Sequence, residues 1–271
     1  MNWRRQLRLA WGNLPGSIRR LLLAALITAV LLLVLSFAGG HDLQLAAVLG
    51  LFALFIAVQA VILWLLWRQN PEFRRARRAY LAEDFAGVIV ELEPLEAEGR
   101  LDAGGAALLG NAYRQLGRLA ESERVLRAAH EADPDSPFPA YGLGRTLFAQ
   151  GLYTDASALI AHALARRGQP TIVADLGHAQ CRAGQHDAAL ESLRQADRIE
   201  LEPHRALMTR YLLWRLEGEP ADVDIVARLT RYDHGLATWH AEAERFQETP
   251  YGAALAADLA TIERLLEGQD S

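Results

Sequence analysis

His178 and Cys181 stand three residues apart, and His186 follows in the same stretch. Imidazole and thiolate are metal and haem ligands, so this trio is the first candidate for chemistry. On a helix His178 and Cys181 would share a face. A tetrahedral zinc site needs four ligands, or three and an open position, so the trio equally reads as a thiol packed at a helix interface beside an imidazole. Arg182 next to Cys181 would favour a thiolate, but no general base or stabilising donor set accompanies it. His234 and His240 have no carboxylate at metal spacing, and Glu91, Glu93, Glu96 and Glu98 read as a solvated helix face. The glycines at 104–105 and 142–144 lack the lysine and strand of a phosphate loop, and no serine nucleophile elbow is present. These residues predict no enzyme activity, no cofactor and no metal.

The elements that would position such groups divide into two parts. The chain has 271 residues and a formal charge of −5. Residues 1–78 hold ten arginines against two acids, Asp42 and Glu72, and the remainder holds eighteen against thirty-one, with no lysine anywhere. The acidic excess of the second part argues against nucleic acid as a partner. One cysteine excludes an internal disulfide framework.

Residues 21–38 and 43–67 carry no charge. Each run is long enough for a transmembrane helix, the first barely, since about 20 apolar residues cross the hydrocarbon core. Only Gly39, Gly40, His41 and Asp42 separate them, which predicts a tight antiparallel hairpin. Arg4, Arg5, Arg8, Arg19 and Arg20 precede it, and Arg68, Arg74, Arg75, Arg77 and Arg78 follow it, so the positive-inside rule puts both flanks in the cytoplasm. Gln59 is a possible interhelical hydrogen-bonding group. A competing reading takes Arg19-Arg20, the first apolar run and Ser36-Phe37-Ala38 as a cleaved signal peptide.

After residue 72 helical periodicity dominates, and four columns recur. Leu109-Gly110, Leu143-Gly144 and Leu176-Gly177 form the first; Gly117, Gly151, Gly184 and Gly218 the second. Ser122, Ala156 and Ala189 form the third, and Ala129, Ala163 and Ala196 the fourth. The pattern predicts helix pairs: a small residue in the first helix admits the second, and the later glycine ends the first helix.

These residues resemble tetratricopeptide (TPR) repeats. The fullest unit is 103–136, with Leu109, Gly110, Tyr113, Gly117, Ser122, Leu126, Ala129 and Pro134 at the family's signature offsets; 137–169 and 170–202 follow. The fold class predicted is all-α, a transmembrane helical hairpin followed by a TPR-like α-solenoid. Its parts are a basic segment (1–20), the hairpin (21–67), a junction and degenerate first repeat (68–102), three repeats (103–202), and a degenerate repeat with capping helices (203–271). Glu83 stands where the degenerate first repeat should have its turn glycine, and the last helix, near 252–267, reads as an end cap.

The resemblance implies a concave groove lined by the first helices, with Asn111, Arg114, Phe138, Tyr141, Arg145, Phe148, His178 and Arg182 facing inward. A basic, aromatic groove suits a protein or peptide partner with acidic residues. The same arginines also read as partners of local acids. The expected function is a membrane-anchored scaffold in a bacterial cytoplasmic membrane, binding partners through a cytoplasmic solenoid. Two alternatives stand beside it. The order of spans, basic junction (residues 74–78) and TPR-like helices is similar to membrane proteins associated with haem biosynthesis, for which His178 and Cys181 would be the ligands. The chain could equally self-assemble in an envelope complex.

Overall fold

The computed structural model describes residues 24–25, 27–30, 33, 41–67, 71–167, 170–218 and 223–267. The chain forms two compact units, residues 1–70 and 71–271.

In the first unit the described residues between 24 and 33 are helical, and α1 runs over His41–Trp67. The helix therefore starts two residues before the expected span and absorbs His41 and Asp42 from the expected turn. The rest of the 21–38 run, Gly39-Gly40 and Arg4, Arg5, Arg8, Arg19, Arg20 and Arg68 lie outside the described residues. Side chains of α1 are described at 46 and 48–60, where Val48, Leu49, Phe52, Phe55, Ile56 and Gln59 are exposed and Gly50, Leu54 and Val58 form a half-covered stripe. That continuous stretch is about 20 Å long at 1.5 Å per residue. Among the described residues no helix is long and apolar enough to cross a membrane.

The second unit is all-α, a TPR-like solenoid. Its helix pairs are α2 (Pro71–Leu81) with α3 (Phe85–Ala97), α4 (Ala103–Gln115) with α5 (Leu119–Ala132), and α6 (Pro137–Gln150) with α7 (Tyr153–Arg167). Then come α8 (Pro170–Arg182) with α9 (His186–Asp197) and α10 (Pro203–Glu217) with α11 (Val223–Thr230). A 3-10 turn, Asp233–Gly235, leads to α12 (Leu236–Arg245) and α13 (Pro250–Glu267). Local chemistry sets the starts: Asp84 and Asp102 accept from Gly87 N–H at 2.8 Å and Gly105 N–H at 2.7 Å. Proline opens α6 and α10, where the first N–H would be unpaired anyway.

The repeat columns have direct structural causes. A Cβ on Gly110 would meet Leu126 at 2.4 Å, one on Gly144 Ile160 at 2.8 Å, and one on Gly177 Leu193 at 2.8 Å. Only glycine lets the second helix of each pair come this close. Gly117, Gly151, Gly184 and Gly218 all have positive φ, and Glu83 takes the same left-handed conformation at φ 59°. Between repeats, Ser122 Oγ donates to Gly110 O at 2.7 Å and lies 2.8 Å from Thr146 Oγ1, so a buried polar rung joins two apolar layers.

The last helix packs on α11 of the last pair and also reaches back to α6, and α12 packs on α10. The reason is in its stripe. Tyr251, Leu255, Asp258, Leu259 and Ile262 are all buried, at helical spacing, so a tyrosine hydroxyl and a carboxylate interrupt the apolar face. Such a face needs polar partners: α8 and α10 supply them for Asp258, and α12 for Tyr251.

Candidate partner-binding groove

The first helices α6, α8 and α10 present side chains to α12 and α13, which pack on each other as a helical hairpin. Three carboxylates collect the polar side chains there, Asp175 within the repeats and Asp258 and Glu242 on the hairpin. Asp175 on α8 accepts from Arg145 Nη1 at 3.1 Å, from Arg205 Nε at 3.4 Å and from the Tyr141 hydroxyl. Burial alone would raise its pKa, but Arg145 and Arg205 outweigh this and hold Asp175 well below the usual carboxylate range. Asp258 on α13 accepts from Arg215 Nη1 at 2.7 Å, from the Tyr211 hydroxyl at 3.1 Å and from Arg182 Nη2. Glu242 on α12 accepts from the Tyr251 hydroxyl at 2.8 Å and stands 3.7 Å from Arg145.

Between these ion groups lies a ring cluster. Phe148 is 4.6 Å from Tyr251 and 4.8 Å from His178, centroid to centroid, and His178 is 5.9 Å from Trp239. Trp239 Nε1 donates to His204 O at 2.6 Å, which ties α12 to the start of α10. Burial, followed by the positive charge of Arg182, pushes the His178 imidazole well below its ordinary pKa. The space left among Arg145, Phe148, Asp175, His178 and Tyr251 is about 10 Å³, the lower limit for one water. The middle of the groove is filled by the chain itself.

The inward residues named from the sequence therefore separate into groups. Tyr141, Arg145, Phe148, His178 and Arg182 come together under the hairpin. Arg114, at the end of α4, is 6% exposed beside them. Asn111 is half-buried near Gly142, and Phe138 is 44% exposed at the start of α6, so neither joins the cluster. Reading the repeats alone misses Asp175, Arg205, Tyr211 and Arg215, and above all Glu242, Trp239, Tyr251 and Asp258 from beyond them. One signal was available: an acid at 258 inside an otherwise apolar stripe.

His178 and Cys181 do not form a ligand pair. His178 is enclosed by rings, Cys181 Sγ accepts from Arg215 Nη2 at 3.3 Å, and His186 is exposed at the start of α9. Their surroundings do not fit haem. Among the described residues no group of three His, Cys, Asp or Glu could hold a metal ion.

A family profile described as tetratricopeptide repeat matches residues 113–172. Solved structures of MamA proteins are similar to this chain. A MamA double mutant from RS-1 has TM-score 0.50 at 15% identity, covering 60% of this chain and 93% of that one. MamA from Desulfovibrio magneticus RS-1 (residues 41 to the end) has TM-score 0.47 at 15% identity, covering 74% and 96%. An AMB-1 MamA has TM-score 0.48 at 20% identity, covering 65% and 98%. No curated protein matches the sequence significantly.

Proposed function

We propose that the chain is a membrane-anchored scaffold. A two-helix hairpin within residues 21–67 holds it in a bacterial-type cytoplasmic membrane, and the repeat solenoid binds protein or peptide partners, acidic ones in particular, along its concave face. The observation that carries this reading is the groove's own occupant. A helical segment bearing Glu242, Tyr251 and Asp258 is held there by arginines and rings, so the surface has the chemistry to grip an acidic, aromatic helix.

The anchor rests on composition and length. α1 has 27 residues, and its sequence carries no charge from Leu43 onward. In the sequence the uncharged run 43–67 matches the roughly 20 residues that a membrane-crossing helix needs. Val48, Leu49, Phe52, Phe55 and Ile56 offer one broad exposed apolar face, as a lipid-facing helix would. Arginine on both flanks favours a cytoplasmic solenoid.

Alkaline carbonate extraction of membranes tests the anchor: the chain should stay in the pellet, and release to the supernatant would remove that half of the proposal. Affinity capture from gently solubilised, crosslinked membranes tests the scaffold. One distinct partner protein is expected. Products containing only copies of this chain would favour self-assembly in its place.

A further inference from the structure

The groove is filled, yet its charges do not balance. Beneath the hairpin Arg114, Arg145, Arg182, Arg205 and Arg215 face Asp175, Glu242 and Asp258, with Glu202 at the exposed rim. Each of these arginines but one has a carboxylate partner. Arg114 has none within 4.0 Å among the described residues, and its buried Nε has no hydrogen-bond partner. Burial first, then the neighbouring Arg145, push its pKa below the ordinary guanidinium range, and Glu242 offsets this in part. Glu242 is already engaged by Tyr251 and Arg145. A desolvated guanidinium without its own anion is among the least favourable arrangements a groove can hold.

The position that would relieve it belongs to the end of α12. Arg114 lies in the last turn of α4, three residues before Gly117, and a Cβ on Gly117 would sit 3.7 Å from the backbone oxygen of Arg245. The hairpin thus brings backbone to this end of the groove, with Glu242 as its one carboxylate acting on Arg114. As a tethered segment it gains effective concentration, so it stays seated although its fit is incomplete. A free partner needs an advantage over it, and Arg114 provides the place for one.

We propose that α12–α13 is a displaceable occupant of the groove, and that an acidic helix of a partner protein replaces it by bringing to Arg114 the carboxylate that the hairpin lacks. This rests on the scaffold reading above and adds to it the partner's chemistry and the step that opens the groove.

The test uses the full chain in lipid nanodiscs and two synthetic peptides. One has the sequence of residues 236–267. The other carries Thr238→Glu and Arg245→Glu, which place carboxylates one turn to either side of Glu242 on the same helix face. The acid-enriched peptide should bind at least tenfold more tightly, and its binding should raise amide hydrogen exchange in the chain's own residues 236–267. In Arg114→Gln the tenfold preference should vanish, and the hairpin should exchange several-fold more slowly, because the uncompensated charge is gone. Arg114→Met, close in volume, should behave alike and guards against a misfolded glutamine variant. Equal affinity for the two peptides, tight binding with unchanged hairpin exchange, or a preference that survives both variants would each overturn the proposal. A membrane partner captured equally by wild type and Arg114→Gln would sink this inference and leave the scaffold standing; capture of no partner at all sinks the scaffold itself.

Discussion

Inside each repeat the decisive contacts are short in sequence and apolar; across the groove they are long in sequence and charged. Gly110 lies against Leu126, Gly144 against Ile160 and Gly177 against Leu193, each pair sixteen residues apart. Arg145 reaches Asp175 across 30 residues, Arg215 reaches Asp258 across 43, and Arg182 reaches Asp258 across 76. Contacts of the first kind depend on shape and can form within one helix pair. Those of the second kind need neighbouring repeats and, where Asp258 takes part, the hairpin as well. The solenoid should therefore survive the loss of its hairpin, whereas the hairpin has no structure to dock on without the solenoid.

Asp258→Ala should break the comparison most sharply. It strands Arg182 and Tyr211 without their acceptor, and removing one partner of a buried ion pair costs about 4 kcal/mol. Proteolysis should then open residues 236–267 while the repeats keep their helicity by circular dichroism. A single shared transition would show that the two regions are one cooperative body. Gly110→Val attacks the other side. With Leu126 2.4 Å from the new Cβ, overpacking should cost about 3 kcal/mol. Thermal unfolding should move to lower temperature for the repeats and carry the hairpin with them.

Acidification gives a smaller effect. His178 is kept neutral by burial and by Arg182, so its folded pKa lies well below that of the unfolded chain. As pH falls through about 6.5 the unfolded chain binds a proton that the folded one refuses, and stability present above that pH is lost. Between pH 6.5 and 5.5 the loss should be about 1 kcal/mol, read as a lower denaturation midpoint. His178→Phe should flatten that slope; an unchanged slope would place the titrating group elsewhere. Glu83→Gly should have the least effect. A non-glycine residue in the left-handed region at φ 59° costs about 1 kcal/mol. Glycine relieves this and gives back part of it in unfolded-state entropy, so the first repeat should gain about 0.5 kcal/mol in equilibrium unfolding.

The contrast also explains what the sequence could reveal. Gly110, Gly144 and Gly177 repeat because every pair needs the same close approach, and Gly117, Gly151, Gly184 and Gly218 because every first helix ends in the same left-handed turn. Repetition made the solenoid readable. The inward direction expected for Arg145, Phe148, His178 and Arg182 followed from the resemblance to the repeat family. Their partners did not, because Glu242, Tyr251 and Asp258 occur once each, beyond the last recognisable repeat. A helix that binds across several units leaves no period behind. It leaves a mismatch within itself, here one acid among Leu255, Leu259 and Ile262.

The order of the elements along the chain has a consequence for biosynthesis. Residues 236–267 are translated after every helix that lines the groove. At 5–20 residues per second, roughly 2–7 s separate completion of α11 from completion of α13. Throughout that interval Arg145, Phe148 and Arg182 lack the helices that cover them in the finished chain.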